Sequence, residues 1–176
     1  MNKSKAKKLL VIIVLLTATL WILSGSHNND KNAIYIAVVG PMSGKEGAIG
    51  KSLLNGIIVY CEGINRLGGI NGKKVMLDIY DDNNDKNKAY EIANKIVKNN
   101  RAVGVIGHYY SSCSISAGKV YKKNKIPAIT PASTNVMVTK NNDWYFRAVY
   151  NDNLQGRFLA NYAIKVLHEK KNQYYL

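Results

Sequence analysis

A chain of 176 residues, 47% hydrophobic and 20% charged, suits one ordinary domain with a real core and leaves too little length for two full ones. Its formal charge of +14 raises nucleic acid or an anionic membrane as partners. Beyond the leader, however, the basic residues come as scattered doublets such as Lys73-Lys74 and Lys122-Lys123 without interleaved aromatics, which argues against nucleic acid, and two Cys, at 61 and 113, specify no metal site.

Residues 1–26 read as an export signal or a membrane anchor. Lys3, Lys5, Lys7 and Lys8 precede an apolar run from Leu9 to Leu23, shorter than the ~20 residues a membrane-spanning helix wants. Ser24 and Ser26 are small residues placed for cleavage after Ser26. Leu23 to Ser26 is similar to a lipoprotein signal, but Ser26 stands where the lipidated Cys would be, so no lipid anchor is expected. An uncleaved segment with Trp21 near its end is the alternative, and it would leave the protein on the membrane.

After a polar linker at 27–33, AIYIAVVG is a continuous apolar run of strand length ending in Gly40. Ile49, Leu53, Ile57, Cys61 and Ile64 then recur at helical spacing, and Gly68-Gly69 closes that helix. Asn71-Gly72 turns the chain into a second strand, KKVMLDIYDD. Asp85 is placed to cap a helix whose Ala89, Ile92, Ala93, Ile96 and Val97 share one face. AVGVIG is the third strand, the stretch from His108 to Val120 opens the third helix, IPAIT is the fourth strand and WYFRAV the fifth, with a further helix from Leu154 to Leu167.

Strands alternating with helices predict a parallel sheet covered on both faces, a three-layer, doubly wound α/β fold. Ligands in such sheets sit outside the carboxyl ends of the strands, where successive connections diverge. Three loops lie there: GPMSGKEGAIG, GHYYSSCS and TPASTN. The last two share a run of hydroxyls. Ser at a helix start satisfies orphan N–H groups by capping; alternatively, the free N–H groups and hydroxyls together await an anion such as a small-molecule carboxylate.

Enzymatic readings are weaker. Gly50-Lys51-Ser52 invites a phosphate-loop reading, but the required Gly five residues before Gly50 is Lys45. His108 has no obvious acid partner in the sequence and reads as structural rather than as a general base. Cys113 at a helix N-terminus could in principle have a lowered thiol pKa, against the simpler reading of a small, half-buried residue.

Five blocks taken together carry a resemblance: IYIAVVGPMSGKEGAIGKSLLNGI, INRLGGINGKKVMLDIYDDNND, AVGVIGHYYSSCSISAG, IPAITPASTN and FRAVYNDNLQG. In order and spacing they resemble the amino-terminal lobe of branched-chain amino acid binding proteins of the type I periplasmic-binding family, which deliver ligands to ABC transporters. The resemblance implies an exported, non-enzymatic solute-binding lobe at 34–150, with no cofactor, an ABC transporter permease as partner and a small amino acid or amide as ligand. It also implies that Ser111 binds the ligand carboxylate through hydroxyl and backbone N–H, that the Ala132 carbonyl and Thr134 hydroxyl receive the ammonium group, and that Tyr109 and Tyr110 flank the site. Ile49 falls where the family places an aromatic on the ligand side chain. The positions of a frequent family disulfide fall near Asn84 and at Tyr110, so that bridge is absent, and Cys61 and Cys113 are expected to be unpaired on opposite sheet faces. Residues 151–176 are expected to begin a second lobe with a helix and the strand NQYYL, which the chain does not complete. The same fold serves as the extracellular sensing domain of signalling receptors, for which an uncleaved leader would be the sign.

Overall fold

The computed structural model describes residues 33–168; the leader and NQYYL lie outside them. Five strands, β1 (Ala33–Gly40), β2 (Lys74–Asp81), β3 (Ala102–Ile106), β4 (Ala128–Thr130) and β5 (Tyr145–Arg147), alternate with helices α1 (Gly47–Arg66), α2 (Lys86–Asn99), α3 (Ser111–Asn124) and α4 (Asp152–Lys165). The strands form one sheet in the order β2-β1-β3-β4-β5, with every pairing parallel. The predicted α/β architecture is therefore the observed one. The fourth strand is shorter than expected because Pro127 has no N–H to give the ladder, and the fifth spans only three residues.

Local chemistry sets the boundaries. Asp85 caps α2, its side chain accepting from the N–H groups of Asn87 and Lys88, and Asn100 ends it in the left-handed region. After α1 the chain turns at Gly69, where φ is +78° and a Cβ would lie 2.1 Å from the Lys73 carbonyl oxygen. Asn65 of α1 faces the edge strand: its Nδ2 donates to the Val75 carbonyl at 2.8 Å, and the Val75 N–H donates to its Oδ1 at 2.7 Å. Those two bonds satisfy backbone groups that an edge strand would otherwise expose.

The core lies between the sheet and the α2–α3 layer. Ala37, Val39, Val105 and Ala128 from the strands meet Ile92, Ala93, Ile96, Ala117, Val120 and Tyr121, with Tyr145 of β5 closing the cluster. Gly118 lets the Tyr145 ring approach, since a Cβ there would lie 2.9 Å from Cδ2. On the opposite face Leu53, Ile57, Cys61 and Ile64 of α1 pack toward Ile36, Val75 and Ile106.

The expectation of a sheet covered on both faces is met only in part. Among the described residues, Val103, Ile129 and Phe146 remain exposed on the α1 side and line an apolar groove with Ile36 and Pro127. The reason is topological. The crossover from β1 to β2 runs one way along the sheet, whereas those from β2 to β3 and from β3 to β4 run the other way. Right-handed crossovers of opposite direction place their helices on opposite faces, so α1 stands alone over β1 and β2. Both Cys are buried and unpaired, Cys61 on α1 and Cys113 on α3, and thus on opposite faces as expected.

The change of direction also creates a switch point. Connections leaving β1 and β3, which are neighbours, diverge at their carboxyl ends, and a crevice opens there. No helix among the described residues is long and apolar enough to cross a membrane.

Candidate ligand site at the carboxyl ends of β1, β3 and β4

Ser111 is the first residue of α3, and the residue before it, Tyr110, occupies the cap position with extended backbone and no side-chain capping bond. Capping is therefore not what the row of hydroxyls does. Ser111 Oγ accepts from the Asn135 N–H at 3.3 Å, and Ser114 Oγ turns inward to lie 2.8 Å from Ser133 Oγ and 3.1 Å from the His108 carbonyl oxygen. Leaving the first N–H groups of a helix without a side-chain partner keeps their partial positive charge available to an anion.

The loop after β4 is fastened to this helix start. Thr130 Oγ1 donates to the His108 carbonyl at 2.7 Å and accepts from the Ser133 N–H at 2.9 Å. Ser133 Oγ donates to the Tyr109 carbonyl at 3.0 Å. Each hydroxyl has one hydrogen, and one assignment that uses each once runs Ser114 to Ser133, Ser133 to Tyr109 and Thr130 to His108. Thr130, Ser114 and Ser133 are all buried, so these bonds are shielded from water.

Beyond Ser133 the chain is held by Arg147 of β5. Its guanidinium donates to the carbonyls of Ser133 and Asn135, both at 3.1 Å, and to Thr139 Oγ1 at 2.8 Å. The Thr134 carbonyl accepts from the Asp152 N–H at 3.0 Å. Among the described residues, none of these bonds ends on the Ala132 carbonyl. Ala132 and Thr134 are both half-buried, and they lie on either side of the residue whose hydroxyl reaches the Tyr109 carbonyl.

Tyr109 and Tyr110 are half-buried, their rings edge to face with centroids 5.1 Å apart. Tyr110 reaches the first loop, its hydroxyl donating to Glu46 Oε2 at 2.8 Å. That bond, with the nearby negative charge, raises the phenol pKa. Ile49 lies three residues on, in the first turn of α1, and is 37% exposed. The structure thus bonds Tyr109 to the Ala132–Thr134 loop through Ser133 and Ser111 to Asn135 just after it, and joins Tyr110 to the first loop through Glu46. For Ile49 it gives the position alone.

Sequence reasoning missed the parts beneath this surface. His108, expected to lack an acid partner, has one: its Nδ1 lies 2.7 Å from Asp82 Oδ2, both side chains being fully buried. The partner is hidden in the sequence because the two lie 26 positions apart, but β2 and β3 flank β1, so Asp82 just after β2 and His108 just after β3 meet over its end. A signal was present in Gly40, Gly107 and the polar residues that close three neighbouring strands.

Cys113 does not have a lowered pKa. Burial, the charge of Asp82 and that of Asp85 push its thiol up to about 11 against a bond to Ser112 that lowers it. The sulfur lies 4.0 Å from Asn84 Oδ1 in the loop after β2. Gly50, the glycine of the phosphate-loop near miss, serves packing instead. A Cβ there would lie 2.1 Å from the Pro41 carbonyl oxygen, and Lys51 and Ser52 after it are exposed.

The chain is similar to known proteins. A family model for periplasmic binding proteins matches residues 33–175. The amino acid binding protein of Pseudomonas aeruginosa is 38% identical over 139 residues, covering 78% of this chain and 37% of its own length. The leucine-specific-binding protein of Salmonella typhimurium is 34% identical over 170 residues, covering 96% of this chain and 44% of its own length. The branched-chain amino acid transporter substrate binding protein LivJ of Streptococcus pneumoniae, solved with isoleucine, superposes with a TM-score of 0.70 at 26% identity, covering 77% of this chain and 39% of that one. This chain therefore spans less than half the length of the curated relatives it matches. On the family match, borne by the parallel sheet and by the order of its loops, the chain belongs to the periplasmic binding protein family.

Proposed function

We propose that the chain forms the first ligand-binding lobe of an extracytoplasmic solute-binding protein for branched-chain or other small amino acids, delivering its ligand to the permease of an ABC transporter. The observation that carries this reading is the start of α3, left without a side-chain cap and bonded through Ser111 to the loop after β4. One end of an amino acid is an anion and the other a cation only a few ångströms away. A helix N-terminus beside a loop whose Ala132 carbonyl takes no bond among the described residues suits that pair of charges.

In this reading Ser111 takes the carboxylate, the Ala132 carbonyl and Thr134 hydroxyl take the ammonium group, Tyr109 and Tyr110 wall the site, and Ile49 touches the ligand side chain. The role is binding rather than catalysis. Residues 1–26 serve as export signal or anchor, 34–150 as the lobe, and 151–176 as the start of a second lobe. Because Ile49 is open to solvent and the two Tyr are only half-buried, water competes for the ligand charges and the affinity of this chain is low. The names of the relatives, one leucine-specific and one solved with isoleucine, support an aliphatic amino acid.

Equilibrium dialysis with radiolabelled L-leucine, N-acetyl-leucine and leucine amide tests the reading. L-leucine should be retained, and each blocked analogue should be retained less, since both charges are recognised. Equal retention of all three, or of none, would contradict it.

A further inference from the structure

We propose that His108 is a positioning residue that holds the carboxylate-binding and ammonium-binding loops in one register; the inference rests on the ligand reading above for its functional consequence. The side chain is completely buried and lies three residues before Ser111. Its surroundings show what it does.

The imidazole joins two elements. A carboxylate only accepts, so Nδ1 must carry the hydrogen that goes to Asp82 Oδ2 at 2.7 Å. In the neutral ring Nε2 is then an acceptor, and it lies 3.1 Å from the Tyr121 hydroxyl on α3. Burial keeps that phenol protonated, raising its pKa well above the ordinary value. Asp82 is oriented in turn by the Asn84 N–H, which donates to its Oδ1 at 3.0 Å.

The backbone of the same residue joins two more. Its N–H donates to the Tyr145 hydroxyl at 2.9 Å, and that hydroxyl donates to the Gly107 carbonyl at 2.6 Å. Its carbonyl accepts from Thr130 Oγ1 at 2.7 Å, while the next carbonyl, that of Tyr109, accepts from Ser133. The end of β2, the face of α3, β5 and the end of β4 are therefore tied through one residue, and the loop after β4 through the next. The bonds of the ring to Asp82 and Tyr121 anchor the backbone at His108, whose carbonyl and the next one hold Thr130 and Ser133, the residue between Ala132 and Thr134. The spacing between the two ligand loops is set here rather than at the surface.

The full chain carries the test in three variants, Asp82→Ala, Asp82→Asn and Tyr121→Phe, each read twice: by hydrogen exchange at the Ser114 and Ser133 amides, and by L-leucine titration followed through amide shifts. Removing a buried acceptor for a charged-group bond should speed exchange at both amides together, and weaken leucine, by about tenfold in Asp82→Ala. Ala93 and Val105 should exchange as before. Asp82→Asn keeps an acceptor oxygen for one of the two N–H groups that Asp82 binds, those of His108 and Asn84, and should leave both readings between those of Asp82→Ala and the parent. A folded Asp82→Ala with unchanged exchange and affinity, or with only one loop loosened, would overturn the assignment. Should that variant not fold, Tyr121→Phe, which keeps the ring and removes only the hydroxyl, decides in the same way: both amides faster supports coupling, and neither faster refutes it. If the parent chain shows no response to leucine, the ligand reading fails by itself, and the exchange rates still decide whether His108 couples the loops.

Discussion

Ser114 Oγ and Ser133 Oγ lie 2.8 Å apart in the interior, so the first turn of α3 and the loop after β4 meet through a pair of hydroxyls rather than through apolar packing. Ser133→Ala would remove the donor to the half-buried Tyr109 carbonyl and the buried partner of Ser114. It should lower unfolding free energy by about 1–3 kcal/mol. Ser112→Ala, at an exposed position in the same row, should change it by less than about 0.5 kcal/mol. Urea unfolding followed by circular dichroism separates the two, and equal effects would contradict the division of labour among these serines.

Gly50→Ala tests what the glycine after the first loop is for. With a Cβ placed 2.1 Å from the Pro41 carbonyl oxygen, α1 and the end of β1 must move apart, at a cost of about 2 kcal/mol or more by the scale of overpacked sites. Lys51→Ala should leave stability within about 0.5 kcal/mol and, on the binding reading, should reveal no ATP hydrolysis to lose. An ATPase activity abolished by Lys51→Ala would restore the nucleotide reading.

The cysteines should behave as shielded thiols. Burial raises the pKa of Cys61, and burial, Asp82 and Asp85 bring Cys113 up to about 11. The thiolate is the reactive form, so Ellman's reagent at mild alkaline pH should react slowly with the native protein and promptly with two thiols after denaturation. No thiol after denaturation without reductant would indicate a Cys61–Cys113 disulfide, which the buried positions on opposite faces do not permit.

Acid should weaken the fold through Asp81 and Asp85. Asp85 lies below the ordinary carboxyl range because the Lys88 and Asn87 N–H groups donate to it. For Asp81, burial pushes the pKa up, but bonds from Ser43, Asn83 and Met42 and the charge of Lys88 outweigh it, with a net lowering. A folded pKa below the unfolded value of about 3.9 contributes stability that is fully present above that value and is lost as pH falls through the folded pKa. Thermal midpoints should therefore stay level in this respect above about pH 5 and fall below pH 4. Asp85→Asn, which can still cap α2, should shrink that fall, and an unchanged acid profile would count against the assignment.

Periodicity made most of the fold legible. The apolar run before Gly40, the helical spacing from Ile49 to Ile64 and the cap at Asp85 each depend on neighbours in the chain, and each is found where the sequence placed it. The family, and with it the loops that carry the candidate site, was legible for a different reason, in the order of five blocks. What the sequence hid is interior and non-local. Asp82 and His108 meet only because β2 and β3 flank β1, and Ser114 is distinguished from Ser112 only by which side of α3 faces Ser133. The uncovered face at Val103, Ile129 and Phe146 was hidden too, since alternation of strands and helices does not say which way each crossover runs.

The most direct test of the central claim is a titration of the isotope-labelled chain with L-leucine, following every amide. The account predicts saturable shifts concentrated at residues 109–113 and 132–135, with a dissociation constant on the order of 1 mM, as fits a site open to water on one side. Amides at those positions that stay still while others move, or a submicromolar constant, would contradict it.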